Sequence, residues 1–206
     1  MKPWLLTVAL IFFACQDSNK VKAEKAFAIK DYTRASILLD LALNQSPADL
    51  SLRKKFAYAL FFTAKSQKQW QKVVAEWKIV QDLESSVEST TMLAQSYLEL
   101  ALWEVDFGSL NQAYTWCEKG LDWDYTSYDL HRLKLMLLQY QDLAAFKEQC
   151  LYMLSFAEWP VEDVLISAEW LYSKDPQSAS AFLEKAAIKF PENEELLWYL
   201  VEWEKE

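Results

Sequence analysis

From residue 19 onward the apolar residues recur every three or four positions, and nowhere do they alternate long enough for a convincing strand. That spacing predicts a chain of amphipathic helices. Two stretches share one finer pattern: Ala35, Leu39, Ala42 and Pro47, and Ala179, Leu183, Ala186 and Pro191. Each has a small residue, a large one four on, a small one three on, then proline five on. Small residues at this spacing let a second helix cross closely, and the proline closes the element. Ser46-Pro47-Ala48-Asp49 reads as a capping box with proline in the first helical position, and Asp175-Pro176 repeats the device.

The same key opens the rest of the chain. Ala23 and Ala26 precede Ala35 as a partial first helix. Phe56-Ala57 and Leu60 precede Trp70, Val73, Trp77 and Val80, and Leu93-Ala94 and Tyr97 precede Ala113, Cys117 and Gly120. Leu133-Lys134 and Leu137 precede Phe146, Cys150 and Met153, and Ile166-Ser167 and Trp170 lead into Ala179. Glu192 to Lys205 reads as one closing helix. This resembles the tetratricopeptide repeat, a two-helix unit of about 34 residues. The resemblance implies an all-α, right-handed superhelical solenoid of about five helix pairs with a C-terminal capping helix. The step from the last marked residue of a first helix to the key residue of its partner is nine in units one (Ala26 to Ala35), four (Leu137 to Phe146) and five (Trp170 to Ala179). Unit two has thirteen and unit three sixteen. The surpluses are close to one and two helical turns, so they lengthen a hairpin without turning its apolar side out of the core.

The N-terminus has a different character. Met1-Lys2-Pro3 carries one positive charge, Trp4 to Phe13 is almost wholly apolar, and Ala14-Cys15 ends the run. The run is too short to span a bilayer, which takes about 20 residues. Basic start, short apolar middle and small residue are the layout of a secretory signal. The cysteine directly after Ala14 makes it resemble a bacterial lipoprotein signal, in which that cysteine becomes the acylated first residue. Phe12 and Phe13 are bulkier than the usual box and resemble spirochaete-type signals. The resemblance implies a signal peptide over 1–14, a lipidated Cys15 with a short tether over 15–20, and a repeat domain over 21–206. Gln16 after the cysteine resembles an outer-membrane sorting signal, so a periplasm-facing anchor, outer membrane before inner, is expected. An ordinary cleaved signal with Cys15 there by chance, or an N-terminal core helix, would read alike.

Charge narrows the partners. With 21 basic and 30 acidic residues the chain carries −9. An acidic chain without a basic run is a poor match for nucleic acid. It is equally poor for polybasic adhesion to lipid, so membrane attachment is expected from the acyl chains. Two glycines leave little material for hairpin turns. Cys117 and Cys150 fall at core positions and read as buried free thiols. Catalysis is not expected, because the chain has a single histidine, His131, and no nucleophile or phosphate-loop motif. His131 is expected in the inner groove or in solvent. No metal and no cofactor are expected.

The aromatic residues exceed what the repeat needs. Trp70, Trp77 and Trp170 fill core positions; Trp103, Trp116, Trp123, Trp159, Trp198 and Trp203 do not. Some of these are expected to fill gaps. Trp103 with Phe107, and Trp123 with Tyr125 and Tyr128, form a candidate aromatic surface. In the tetratricopeptide family the concave side, lined by first helices, grips a segment of a partner. The resemblance places Tyr58, Phe61, Gln95, Leu98, Leu135 and Tyr172 there as a candidate groove, with Glu24, Phe27, Lys54, Thr91, His131, Leu138, Ala168 and Leu171 beside them. Tyr58 stands where carboxylate-clamping members need asparagine. The expected function is a membrane-anchored, non-enzymatic adaptor that binds another protein of a bacterial envelope. The alternative is a periplasmic carrier holding a small apolar molecule or glycan.

Overall fold

A computed structural model describes residues 19–104 and 106–203. The signal-like segment and Cys15 lie outside the described residues. Those residues form eleven helices: α1 (19–28), α2 (Tyr32–Gln45), α3 (Leu50–Thr63), α4 (Gln67–Leu83), α5 (Val87–Glu104), α6 (Phe107–Trp123), α7 (Tyr128–Leu138), α8 (Leu143–Met153), α9 (Val161–Tyr172), α10 (Pro176–Lys189) and α11 (Glu194–Trp203). Among the described residues there is no strand, and no helix is long and apolar enough to cross a membrane. The helices pair as the pattern predicts, α1 with α2 through α9 with α10, and α11 closes the series. By contacts the chain divides into two compact units, one ending at Trp123 and one starting at Asp124.

The first unit holds three pairs. Ala23 and Ala26 of α1 and Ala35, Leu39, Ala42 and Leu43 of α2 share a core with Leu52, Phe56 and Ala59 of α3. Next come Trp70, Val73, Trp77 and Val80 of α4, then Leu93, Ala94 and Tyr97 of α5 against Ala113, Cys117 and Gly120 of α6, all buried. The surplus residues of units two and three become helix. α4, α5 and α6 have 17, 18 and 17 residues, where α7 and α8 of the second unit have 11 each. At 1.5 Å per residue α5 is about 27 Å long and α7 about 16 Å.

Helix ends are set by short polar side chains. Asp31 accepts from the Arg34 amide at 3.1 Å, Ser66 accepts from the Gln69 amide at 3.4 Å, and Gln69 accepts from the Lys65 amide, one residue before the cap, at 2.7 Å. Asp175 caps α10 with Pro176 in its first turn, as read from the sequence. Ser46 does not cap α3. It closes α2, and Asp49 takes the capping place by accepting from the Leu52 amide at 3.1 Å. Starting at Leu50 lets Leu52 and Phe56 enter the core together. The α1–α2 turn is closed by Lys30, whose φ of 60° lies in the left-handed region. Its amide bonds the Phe27 carbonyl, and the Asp31 amide bonds that of Ala26, both at 2.9 Å, a helix ending usually built on glycine.

In the second unit, Leu130, Leu133, Leu137, Phe146, Cys150 and Met153 fill the α7–α8 pair, and Val164, Ala168, Ala179, Phe182, Leu183 and Ala186 the α9–α10 pair. Ile166 is 59% exposed; Val164, Ser167, Ala168 and Leu171 are among the residues on the buried side of α9. Trp170 is half-buried against Phe146, centroids 4.4 Å apart. Trp159 fills a gap beside Phe182, whereas Trp103, Trp123 and Trp198 are exposed.

Candidate functional site

An open pocket of about 580 Å³ lies on the first unit. It is lined by Phe27 of α1, by Leu50, Ser51, Lys54, Lys55, Tyr58 and Phe62 of α3, by Glu84 at the end of α4 and by Glu88 in the first turn of α5. All but Glu84 lie on first helices, the elements expected to carry the groove. Lys54, Tyr58 and Phe62 follow at four-residue steps, so one stripe of α3 presents an ammonium, a phenol and a phenyl ring in order.

Charge pairs close one end of the pocket. Lys54 Nζ donates to Glu84 Oε1 at 2.8 Å and Glu88 Oε2 at 2.9 Å, and the Tyr58 hydroxyl donates to Glu88 Oε1 at 2.9 Å. Burial pushes the Glu88 carboxyl up, but the bonds from Lys54 and Tyr58 and the Lys54 charge outweigh it and leave it below its ordinary value. The bonds to Glu84 and then Glu88 raise the Lys54 ammonium. Burial, then the bond to Glu88, pushes the Tyr58 phenol up. All three groups are therefore held in their neutral-pH forms. Lys55 pairs with Glu24 at 2.9 Å along the α1 edge.

Phe27, Tyr58 and Phe62 of the lining belong to an aromatic row. Phe27 meets the Tyr32 ring edge-on at 5.5 Å, and Tyr32 stacks on Phe62 at 4.5 Å. Phe62 lies parallel to Tyr58 at 6.4 Å, and Tyr58 meets the buried Trp77 edge-on at 4.9 Å. Phe62 nevertheless remains 55% exposed. The exposed part of the Phe62 ring, beside an ion cluster already satisfied, can take an apolar or aromatic side chain by contact.

The expected groove residues divide. Tyr58 lines the pocket, and Gln95 is half-buried on α5. Phe61 turns to α4 and meets Trp70 edge-on at 5.2 Å, so its neighbour Phe62 holds the open position. Leu98 is 1% and Leu135 5% exposed, and both are core rather than groove surface. Tyr172 lies under Trp203 of α11, rings stacked at 4.2 Å. Leu138, Ala168 and Leu171 are likewise buried. The four-residue stripe from Lys54 was the signal for Phe62; Glu84 and Glu88 carried none, because only the α4–α5 turn brings them opposite α3.

His131 faces neither groove nor solvent. It is buried between Tyr125, Tyr152 and Phe156, with Nε2 2.7 Å from the Tyr125 carbonyl and Nδ1 3.1 Å from the Gln149 amide nitrogen. That geometry holds a neutral ring with the proton on Nε2. Trp103 and Phe107 are 53% and 72% exposed around the α5–α6 turn. Trp123, in the first unit, has Lys119 over its face, while Tyr125 and Tyr128 belong to the second, against His131 and Phe156 respectively. Cys117 and Cys150 are buried, and burial pushes the Cys150 thiol up.

With the helix pairs and the pocket in place, the solved structures sharing this architecture are informative. TTC0263, a thermophilic TPR protein of Thermus thermophilus, aligns over 91% of this chain and 98% of its own at 16% identity, with a TM-score of 0.58. YrrB, a TPR protein with an unusual peptide-binding site, covers 86% of this chain and 87% of its own at 12% identity, TM-score 0.62. The TPR domain of P58(IPK) covers 96% of this chain and 57% of its own at 18%, TM-score 0.51. The fold is the tetratricopeptide fold. At these identities the likeness is one of fold alone. No family model and no curated protein matches the chain.

Proposed function

We propose that this chain is a membrane-anchored, non-enzymatic adaptor of a bacterial envelope, which receives an apolar segment of a partner protein in the pocket of its first unit. The observation that carries the reading is the exposed Phe62 ring, set between Tyr32 and Tyr58 beside a Lys54–Glu84–Glu88 cluster whose charges are already satisfied. Such a surface offers contact area without demanding a charged ligand. The open mouth suits a passing segment of chain better than an enclosed small molecule, which favours adaptor over carrier. Anchoring rests on the Ala14-Cys15 ending of the apolar run, and Gln16 supports the outer membrane.

Two arms test it in cells. Cys15→Ser is expected to abolish labelling by a fatty-acid analogue, and labelling that persists would refute lipidation. A photo-crosslinking residue at 62 is expected to capture an apolar stretch of an envelope protein, mapped by mass spectrometry. The same residue at 188, whose isoleucine is 83% exposed on α10, should not. Equal capture at both positions, or none at 62, would refute the pocket.

A further inference from the structure

The first hairpin carries charge of the opposite sign to the rest of the chain. Residues 19–41 hold five cations, Lys20, Lys22, Lys25, Lys30 and Arg34, against Glu24, Asp31 and Asp40; residues 42–206 hold 15 cations against 26 carboxylates. Two of the three hairpin carboxylates are engaged locally, Glu24 by Lys55 and Asp31 as the cap of α2. Asp40 is exposed. Lys20 pairs with Asp49, but Lys22, Lys25, Lys30 and Arg34 are exposed and form no ion pair among the described residues.

Apolar side chains are interleaved with these cations. Val21, Ile29, Ile37 and Leu41 are 46%, 74%, 62% and 47% exposed. On α1 and the turn after it, Val21, Lys25 and Ile29 follow at four-residue steps, opposite the buried Ala23 and Ala26. On α2, Arg34, Ile37 and Leu41 share a stripe opposite Ala35 and Leu39. A side awaiting another helix would be apolar without unpaired cations. Alternating aliphatic and cationic groups instead match a lipid interface, where the aliphatics enter the headgroup layer and the cations meet phosphate. Lys30 adds a second sign: the chain places a cation at a left-handed position that glycine fills at lower cost.

We propose that the α1–α2 hairpin lies against an anionic lipid surface, through Val21, Ile29, Ile37 and Leu41 together with Lys22, Lys25, Lys30 and Arg34. This rests on the membrane-anchored reading above. Cys15 lies four residues before 19, a reach of at most about 14 Å, so a lipid there holds α1 beside the bilayer. The acyl chains hold the protein and the hairpin orients it.

The test uses the full chain reconstituted into vesicles of phosphatidylcholine, with or without phosphatidylglycerol. Flotation reports anchoring. Amine labelling read by mass spectrometry reports contact, with exposed Lys68, Lys119 and Lys185 as controls. On anionic vesicles Lys22, Lys25 and Lys30 are expected to label roughly tenfold more slowly than on neutral ones, reversed by salt, as for cations held at a charged surface. The controls should not change. Lys30→Gly should raise the denaturation midpoint, because it relieves the backbone, yet weaken the protection of Lys25. A chain that fails to float refutes anchoring itself. A chain that floats with its hairpin lysines as open as the controls overturns this proposal alone. So does protection seen only in a complex with another protein.

Discussion

The Tyr58 hydroxyl donates to Glu88 across 2.9 Å, so α3 and α5 are joined at the mouth of the pocket by a side-chain bond. Lys54 completes the clasp by holding Glu88 and Glu84 together. A carboxyl held below its ordinary value in the folded chain contributes stability above the unfolded carboxylate range, and that contribution is lost as pH falls through the folded value. For Glu88 the loss therefore begins near pH 5, as unfolded glutamate, with a pKa of about 4.3, starts to take up its proton.

Glu88→Gln is accordingly expected to cost less than ~1 kcal/mol near neutral pH, because its carboxylate and Lys54 are only partly screened from water. The gap to wild type should close on acidification. Urea melts at several pH values check both halves, and a gap that widens toward acid would contradict the assignment.

His131 and Gln149 make a second pair to test. Gln149 donates to Nδ1 of the ring and to the His131 carbonyl, at 3.1 and 3.2 Å, inside the second unit. Gln149→Leu leaves a buried ring nitrogen without its donor, and is expected to cost about 1–3 kcal/mol. His131→Phe combined with Gln149→Leu should cost less than the sum of the two single changes, since the ring acceptor is removed together with its donor. Strict additivity in denaturant melts would show the two side chains to be uncoupled.

Much of this fold was legible because the helix pairs are written in small residues. Ala35, Ala113 and Ala179 all fall at 0% exposure where the pattern predicts a close crossing. The site was less legible for a physical reason. A repeat pattern identifies which side of a helix is buried, but Leu98 and Leu135 sit on the border between core and groove, and packing decides which way they go. Phe61 and Phe62 differ by one residue, or about 100° of rotation, and only the Trp70 ring beside Phe61 determines which of them stays open. His131 misled because burial of a histidine depends on a distant partner, Gln149, that no local pattern marks.

Ala113→Leu and Ala179→Leu test the crossings directly. Both alanines are fully buried at a helix contact, and overpacking there is expected to cost about 1–3 kcal/mol. Ala75→Leu on the exposed side of α4 should stay within about 0.5 kcal/mol. Three melts that coincide would refute the helix register.

The two buried thiols report on the two units separately. Cys117 lies in α6 of the first unit and Cys150 in α8 of the second, each at 0% exposure, so a thiol reagent reaches either only when its unit opens. The opening energies should differ. α5 and α6 hold 18 and 17 residues, whereas α7 and α8 hold 11 each, and in a repeat chain stability grows with the surface each helix buries on its neighbours. Cys150 is therefore expected to label at a lower urea concentration than Cys117, with Cys15→Ser as background so that these are the only thiols. Coincident labelling of the two would mean that the units open as one. Earlier labelling of Cys117 would mean that helix length does not set the order.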